Sequence, residues 1–250
     1  MVVVYKNWPR VIAYRLNLRP ESMIVKLRDG ARFLVRDRRE ELSDAYVINE
    51  SFLYGIHNNI LPYLKNAKIG IDAGAHIGTF SVFAARRSPA KIFAVEPTEK
   101  NLKVLVENIK LNNLSGRIVP VKIALAGRSG TVDLFIPRNG GLATTTAGHL
   151  ENYGEKSDIP PIKIKALTLS DFFNEHNINF CDFIKMDVEG AEYDIFYNTP
   201  EEILRRIGIM TLECHGDGDI NQLMKFISDR GFAVSRPTME FGEIFCKRIA

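Results

Sequence analysis

The spacing of hydrophobic and polar positions changes several times along the chain, and each change marks an element. In residues 23–36, MIVKLRDGARFLVR, apolar and polar positions alternate on either side of Asp29-Gly30. Period-two alternation is the pattern of a half-buried strand, and Asp-Gly is a two-residue turn signal, so a β-hairpin is predicted. Residues 1–18 mix apolar and aromatic side chains with single basic ones, interrupted by Pro9. This predicts an amphipathic arm docked on the core. Residues 40–56 are helix-like. From Lys68 onward, short apolar runs alternate with helical stretches. IGIDAG (69–74), KIFAVEP (91–97), IVPVKIALAG (118–127), DFIKMD (182–187) and GIMTLECH (208–215) read as strands, and TVDLFIP (131–137) as a further one. Residues 76–87, 98–113 and 169–176 read as helices, with another between 187 and 208. In 219–230, Ile220, Leu223, Met224 and Ile227 fall at i, i+3, i+4 and i+7, and Gly231 follows, the pattern of one amphipathic helix and its stop. FAVSRP and EIFCKR form two closing strands. Their short connection makes them antiparallel, since a parallel pair needs a long crossover.

Alternating strands and helices predict an α/β fold, a mainly parallel sheet covered on both faces. The division expected is an N-terminal arm, hairpin and helix over 1–66, then one α/β domain over 67–250. Ligands in such sheets bind beyond the carboxyl ends of strands where the strand order reverses. The positions of interest are therefore Asp72, Glu96, Ala124, Asp187 and Glu213.

Composition changes this picture little. The 250 residues are 46% hydrophobic and 25% charged, which is ordinary for a globular chain. Three cysteines without CxxC spacing offer no disulfide framework or zinc knuckle. No apolar run reaches the roughly 18 residues that span a bilayer, and the start is too short and broken for a signal segment. A soluble, cytoplasmic protein is expected. Charge adds one point: residues 1–39 hold ten Lys/Arg against three Asp/Glu, while the chain as a whole carries only +3. A solvated arm and hairpin explain this; so does a patch for nucleic acid, lipid headgroups or a phosphorylated sugar.

The first strand end carries a glycine loop, Ile69-Gly-Ile-Asp-Ala-Gly-Ala-His-Ile-Gly78. Glycine there permits close backbone approach to a ligand. The next strand ends at Glu96, 24 positions after Asp72. That spacing suits a ribose diol, which offers two donors to one carboxylate. The GxGxxG of a dinucleotide fold is missing, and Asp72 would repel a pyrophosphate. A ribose together with a cation points to S-adenosylmethionine.

IDAGAHIGTFS resembles the first motif of class I methyltransferases, and of the FkbM family in particular. VEPTEKNLKVLVENIKLNN resembles that family's second strand and helix, LTLSDFF precedes the distinctive DFIKMDVEGAEYDIF stretch, and TLEC supplies the next strand end. The resemblance covers roughly residues 40–250. It implies a Rossmann-like seven-stranded sheet with an antiparallel last strand. It also implies a cofactor site of Asp72, Gly74, Ala75, His76, Gly78, Glu96, Pro97, Ala124 and Asp187. Asp72 and Gly74 would face the methionyl end, Glu96 the ribose and Ala124 the adenine edge. His76 stands where the family commonly has Asn; it either contacts the cofactor or faces solvent at a helix start.

An alcohol acceptor must lose a proton when it is methylated, and a carboxylate or imidazole contributes roughly 10²–10⁴-fold as general base. Asp187, Glu213, His215 and Lys185 are the catalytic candidates, with His215 the preferred base and Lys185 a partner for Asp187 or Glu213. Asp187, Glu189, Glu213 and His215 also suit a divalent cation, Mg²⁺ or Mn²⁺. Glu192 reads as a helix-start acid favoured by the dipole, and Gly190 as a tight turn. Thr144, Thr145 and Thr146, in the Gly/Thr-rich loop 138–149, read as binding groups or plain surface. His57, His149 and His176 have no evident partner. The leading expectation is an S-adenosylmethionine-dependent O-methyltransferase acting on a sugar or small natural product. An RNA methyltransferase using the basic N-terminal region is one rival, although DVEG stands where base-amine enzymes carry NPPY. A non-catalytic cofactor-binding scaffold is the other.

Overall fold

The hairpin forms with a loop one residue longer than Asp29-Gly30. β1 (Met23–Lys26) pairs with β2 (Arg32–Val35), Leu27 N–H donates to Ala31, and Gly30 N–H donates back to Leu27. The loop is thus Arg28–Gly30, and Gly30 lies in the left-handed region at φ 94°. A type I turn closed by a left-handed glycine is the three-residue solution. The arm's α1 (Trp8–Arg15) has Pro9 in its first turn, where a proline loses no helical hydrogen bond. These features, and those below, belong to a computed structural model that describes residues 4–136, 143–145, 160–216, 218–236 and 243–249.

Residues 40–56 hold α2 (Asp44–Asn49), which runs into a single π turn, Glu50–Tyr54, ended by Gly55 at φ 69°. A short α3 (Leu61–Leu64) leads to the main sheet. Its strands are β3 (Ile69–Ala73), β4 (Lys91–Val95), β5 (Ile118–Val121), β9 (Cys181–Met186), β10 (Ile207–Glu213), β11 (Phe232–Ser235) and β12 (Glu243–Arg248), in the order β11-β12-β10-β9-β3-β4-β5. β10, β9, β3, β4 and β5 are parallel, and β12 is antiparallel to both its neighbours. The chain leaves β3 toward β4 on one side and returns to β9 on the other. The β3/β9 boundary is therefore where the order reverses.

The stretch 118–127 is not one strand. β5 stops at Val121, and β6 (Ala124–Leu125) pairs with β8 (Ile162–Leu167), which pairs antiparallel with β7 (Gly130–Leu134) in a separate three-stranded sheet. Ala124 accordingly lies beyond the third strand's end rather than on it. β5 is an edge strand, which is why it tolerates Pro120.

The remaining helices are α4 (Thr79–Ala85), α5 (Glu99–Leu111), α6 (Leu169–Glu175), α7 (Glu192–Tyr197), α8 (Glu201–Leu204) and α9 (Ile220–Ser228). α4 starts three residues later than the apolar pattern implies, because His76 (φ 49°) and Gly78 (φ 84°) hold left-handed backbone. Asp219 caps α9 by accepting from the Asn221 and Gln222 N–H groups.

One apolar cluster packs hairpin residues Val25, Phe33 and Val35 with Phe80, Phe83, Leu105 and Ile109. The other fills the opposite side of the sheet with Ile184, Phe172, Phe196 and Leu223. Two side-chain amides, one on α5 and one just past its end, tie down β2: Asn108 Oδ1 accepts from Leu34 N–H at 2.6 Å, and Asn112 Oδ1 from Arg32 N–H at 3.0 Å. Among the described residues, no helix is long and apolar enough to cross a membrane.

Candidate active site

The loop after β3 is built around two glycines whose reasons differ. A Cβ on Gly74 (φ 76°) would lie 1.7 Å from the Asp187 carbonyl oxygen. The missing side chain lets β3 and β9 close on each other at the strand ends, a demand made by the protein itself as well as by any ligand. Gly78 lets α4 settle on Leu105, which a Cβ would meet at 2.3 Å. The N–H groups of Gly74 and Ala75 both donate to the Val95 carbonyl, at 3.0 and 2.9 Å. Those amides are engaged, so the loop is no phosphate cradle.

Asp72 is fully buried. Its Oδ2 accepts from Ser81 Oγ at 2.6 Å, while Oδ1 has no hydrogen-bond partner among the described residues. Burial raises this carboxyl above the ordinary carboxylate range, and Lys185 opposes the rise. Glu96, one residue past β4, accepts from His76 N–H (2.9 Å) on one oxygen and from Thr98 N–H (2.9 Å) and Asn101 Nδ2 (3.3 Å) on the other. His76 turns its ring toward the N-terminal region, with Nε2 3.3 Å from Arg36 and 3.2 Å from Ser43 Oγ. Burial is the main reason its pKa falls to about 4, so it is neutral near pH 7.

A cleft at the β3/β9 boundary is lined by Gly74, His76, Glu96, Pro97, Ala124 and Asp187, with Thr145 at its edge. A second, inner pocket is lined by Asp72, Ala75, Glu50, His57, Lys185 and Glu213, and it shares Gly74, His76 and Asp187 with the cleft. Gly78 lines neither of the two. Most of the predicted cofactor residues are therefore brought together, although Ala124 arrives on the small sheet.

The strand ends opposite form a charged cluster. Met186 lies across from Leu212 in the β9/β10 register, so Asp187 comes level with Glu213. Lys185 Nζ donates to Asp187 Oδ2 at 3.0 Å and to the Gly74 carbonyl at 3.3 Å. Burial alone would lower the Lys185 pKa, but Asp187 and Asp72 hold it above the ordinary lysine value. Burial likewise pushes Asp187 up, and Lys185 and His215 outweigh it, leaving its pKa below normal. His215 sits among four carboxylates: Glu213 at 3.4 Å, Glu192 at 3.5 Å, Asp187 at 3.8 Å and Glu189 at 3.9 Å. Burial works against its charge, yet hydrogen bonding to Glu192 and Glu213 pushes the pKa up to about 12. In this arrangement His215 is an imidazolium, a state in which it accepts no proton. Asp187, Glu213 and His215 offer one ligand atom each within 4.8 Å of one another. Glu189 lies at φ 57°, beside Gly190 at φ 102°.

Glu192 does more than start α7. It is fully buried, and its two oxygens accept from the Val188 and Gly190 N–H groups at 2.9 and 3.0 Å. It fixes the turn that carries Glu189. Thr144 Oγ1 donates to the Glu189 carbonyl; Thr146 and His149 lie outside the described residues. His176 rests against Phe93 and Phe172, away from the cleft.

Glu50 escaped the sequence reading, and His57, left there without a partner, joins it in the inner pocket. Glu50 lies on the π turn, a feature frequent at functional sites. Burial, then Glu213 and Asp187, push its pKa up to about 8. His57 packs edge-on against Phe80, with ring centroids 4.7 Å apart, and burial drops its pKa to about 3.

Known proteins bear on this geometry. The family profile described as Methyltransferase FkbM domain matches residues 72–234. Methyltransferase sdnD of Sordaria araneosa is 27% identical over 198 residues, covering 68% of this chain and 76% of that protein. The 2-O-methyltransferase NoeI of Sinorhizobium fredii (strain NBRC 101917 / NGR234) is 26% identical over 197 residues, covering 74% and 79%. Among solved structures, that of M. jannaschii TYW2 in complex with AdoMet superposes with a TM-score of 0.47 at 15% identity, covering 92% of this chain and 88% of that one. The profile runs from the buried Asp72 through the Glu96 strand end and the Asp187 cluster, and with it this chain belongs to the FkbM family of S-adenosylmethionine-dependent methyltransferases.

Proposed function

We propose that the chain methylates a hydroxyl oxygen of a sugar or small natural product. The observation that carries this reading is the inner pocket, where Glu50, Asp187 and Glu213 meet beside the Asp72–Gly74 loop. The name of one relative agrees in direction, a 2-O-methyltransferase. The residues fit the cofactor: Asp72 Oδ1 is buried without a donor, a need that an ammonium meets. Glu96 is the acid for a ribose diol, and the cleft beside Ala124 and Pro97 takes the base.

S-adenosylmethionine supplies an electrophilic methyl group on a sulfonium. The protein's part is to orient the acceptor for in-line attack and to take its proton. Asp187 is ionised but held by Lys185. Glu50 lines the pocket beside Asp187 and Glu213, and with its pKa raised to about 8 its ionised form is basic enough to take the acceptor's proton. Glu50 is thus the proton acceptor in this mechanism, with Lys185 and protonated His215 setting the field around Asp187.

A divalent cation is a second reading, with an observation of its own. The Asp187, Glu213 and His215 atoms are close enough to share one Mg²⁺ or Mn²⁺, which would displace the His215 proton and lower the acceptor's pKa. The test is calorimetry with S-adenosylmethionine, followed by turnover with and without chelator. Binding with chelator-resistant, Glu50-dependent turnover supports the base; chelator-sensitive turnover supports the metal. No cofactor binding at millimolar concentration sinks both.

A further inference from the structure

We propose that Arg36, at the end of the hairpin, is a positioning residue for the cofactor's ribose. The proposal rests on reading Glu96 as the ribose acid. Arg36 closes a ring of polar contacts around that carboxylate. Its Nη1 donates to Asn101 Oδ1 at 2.8 Å, and Asn101 Nδ2 donates to one oxygen of Glu96 at 3.3 Å. In the other direction, Arg36 Nη2 lies 3.3 Å from His76 Nε2, and the His76 N–H donates to the other oxygen of Glu96 at 2.9 Å. Both oxygens of Glu96 are therefore oriented by groups that Arg36 touches.

The guanidinium is itself locked. Asp44 Oδ2 accepts from both its Nε (2.9 Å) and its backbone N–H (2.8 Å), Asp44 Oδ1 accepts from Nη2, and Glu41 lies 3.6 Å away. Arg36, Asp44, Glu41, Asn101 and Glu96 are all buried. A planar fork reaches Asp44 and Asn101 at once, which a lysine ammonium cannot do with the same geometry. His76, Glu96 and Asn101 line the cofactor cleft while Arg36 does not, so its action passes through them. Arg36 also precedes the matched family segment, 72–234. The hairpin is thereby a working part of the cofactor site.

The experiment compares wild type, Arg36→Gln, Arg36→Lys and Glu96→Gln for binding of S-adenosylhomocysteine and its 2′,3′-dideoxy analogue. Wild type is expected to favour the diol by about tenfold or more, the worth of a hydrogen bond to a charged group. Arg36→Gln is expected to lose most of that preference while holding the dideoxy analogue as wild type does. Arg36→Lys is expected to fall between them and covers the case in which the glutamine variant fails to fold. In turnover, KM for S-adenosylmethionine rises and kcat at saturation stays. Equal loss for both ligands, or an undiminished diol preference in both Arg36 variants, overturns the proposal. If Glu96→Gln keeps the preference, or wild type has none, the ribose reading of Glu96 has failed and the proposal falls with it. If Glu96→Gln loses it and the Arg36 variants do not, only the proposal falls.

Discussion

At the scale of single residues, the site is an arrangement of buried charges set by their neighbours. Lys185 and His215 provide two cations against Asp187, Glu189, Glu192 and Glu213. Burial, with Glu213 and Asp187 beside it, raises the Glu50 pKa to about 8, which makes it a stronger base than an ordinary carboxylate. Asp187→Asn removes the partner of Lys185 and one of the charges that keep Glu50 basic, so kcat is expected to fall several-fold; unchanged turnover would remove Asp187 from the mechanism. His57 gives a separate prediction about stability. Folded, its pKa is about 3 because of burial and the nearby Lys185; unfolded, it returns to about 6.5. Below pH 6.5 the unfolded chain therefore binds a proton that the folded chain refuses, and stability falls as the pH falls. Relative to His57→Phe, the wild type should lose about 2 kcal/mol of unfolding free energy between pH 7 and pH 5. Urea titrations at the two pH values measure it, and a constant difference contradicts the assignment.

At the scale of elements, strand ends position the chemistry and glycine geometry lets them meet. Gly74→Ala places a methyl group 1.7 Å from the Asp187 carbonyl, at φ 76°. It should destabilise the fold by several kcal/mol, as overpacking and left-handed strain combine, and a Tm within a degree of wild type would refute this. Much at this scale was legible in the sequence. The hairpin follows from a period-two pattern and α9 from a period-3.6 one, because each buries one face, while the parallel strands, buried on both faces, show as short apolar runs. The small sheet was not read correctly. Ile162-Lys-Ile-Lys165 alternates as a strand should, but β8 follows a long Gly/Thr/Pro-rich stretch, β6 reads as the end of the strand over 118–127, and β7 reads as a further strand with no partner indicated. Glu50 was hidden for another reason. Nothing local distinguishes it from other helix-surface acids; only the tertiary fold brings the π turn to the pocket that Asp187 also lines. The ring linking Arg36 to Asn101, 65 residues apart, is likewise a product of tertiary structure.

At the scale of the whole molecule, the N-terminal hairpin and the α/β domain share one apolar cluster. Deleting residues 1–39 would uncover Phe80, Phe83 and Leu105 and remove Arg36. We expect that truncation to abolish cooperative unfolding by calorimetry; a shortened chain with a sharp transition and wild-type cofactor affinity would show that the extension is dispensable. The excess of basic residues in this segment is a separate matter. Binding of tRNA with a steep salt slope would move the acceptor toward RNA. The central claim is methyl transfer from S-adenosylmethionine to oxygen at the Asp187–Glu50 mouth. Its most direct test uses ¹³C-methyl-labelled S-adenosylmethionine with a panel of hydroxylated sugars and small natural products, the products being read by NMR. The account predicts label in a methyl ether, formed by the wild type and lost with Glu50→Gln. Label on nitrogen or carbon, or bound cofactor with no label transferred to any hydroxyl, would contradict it.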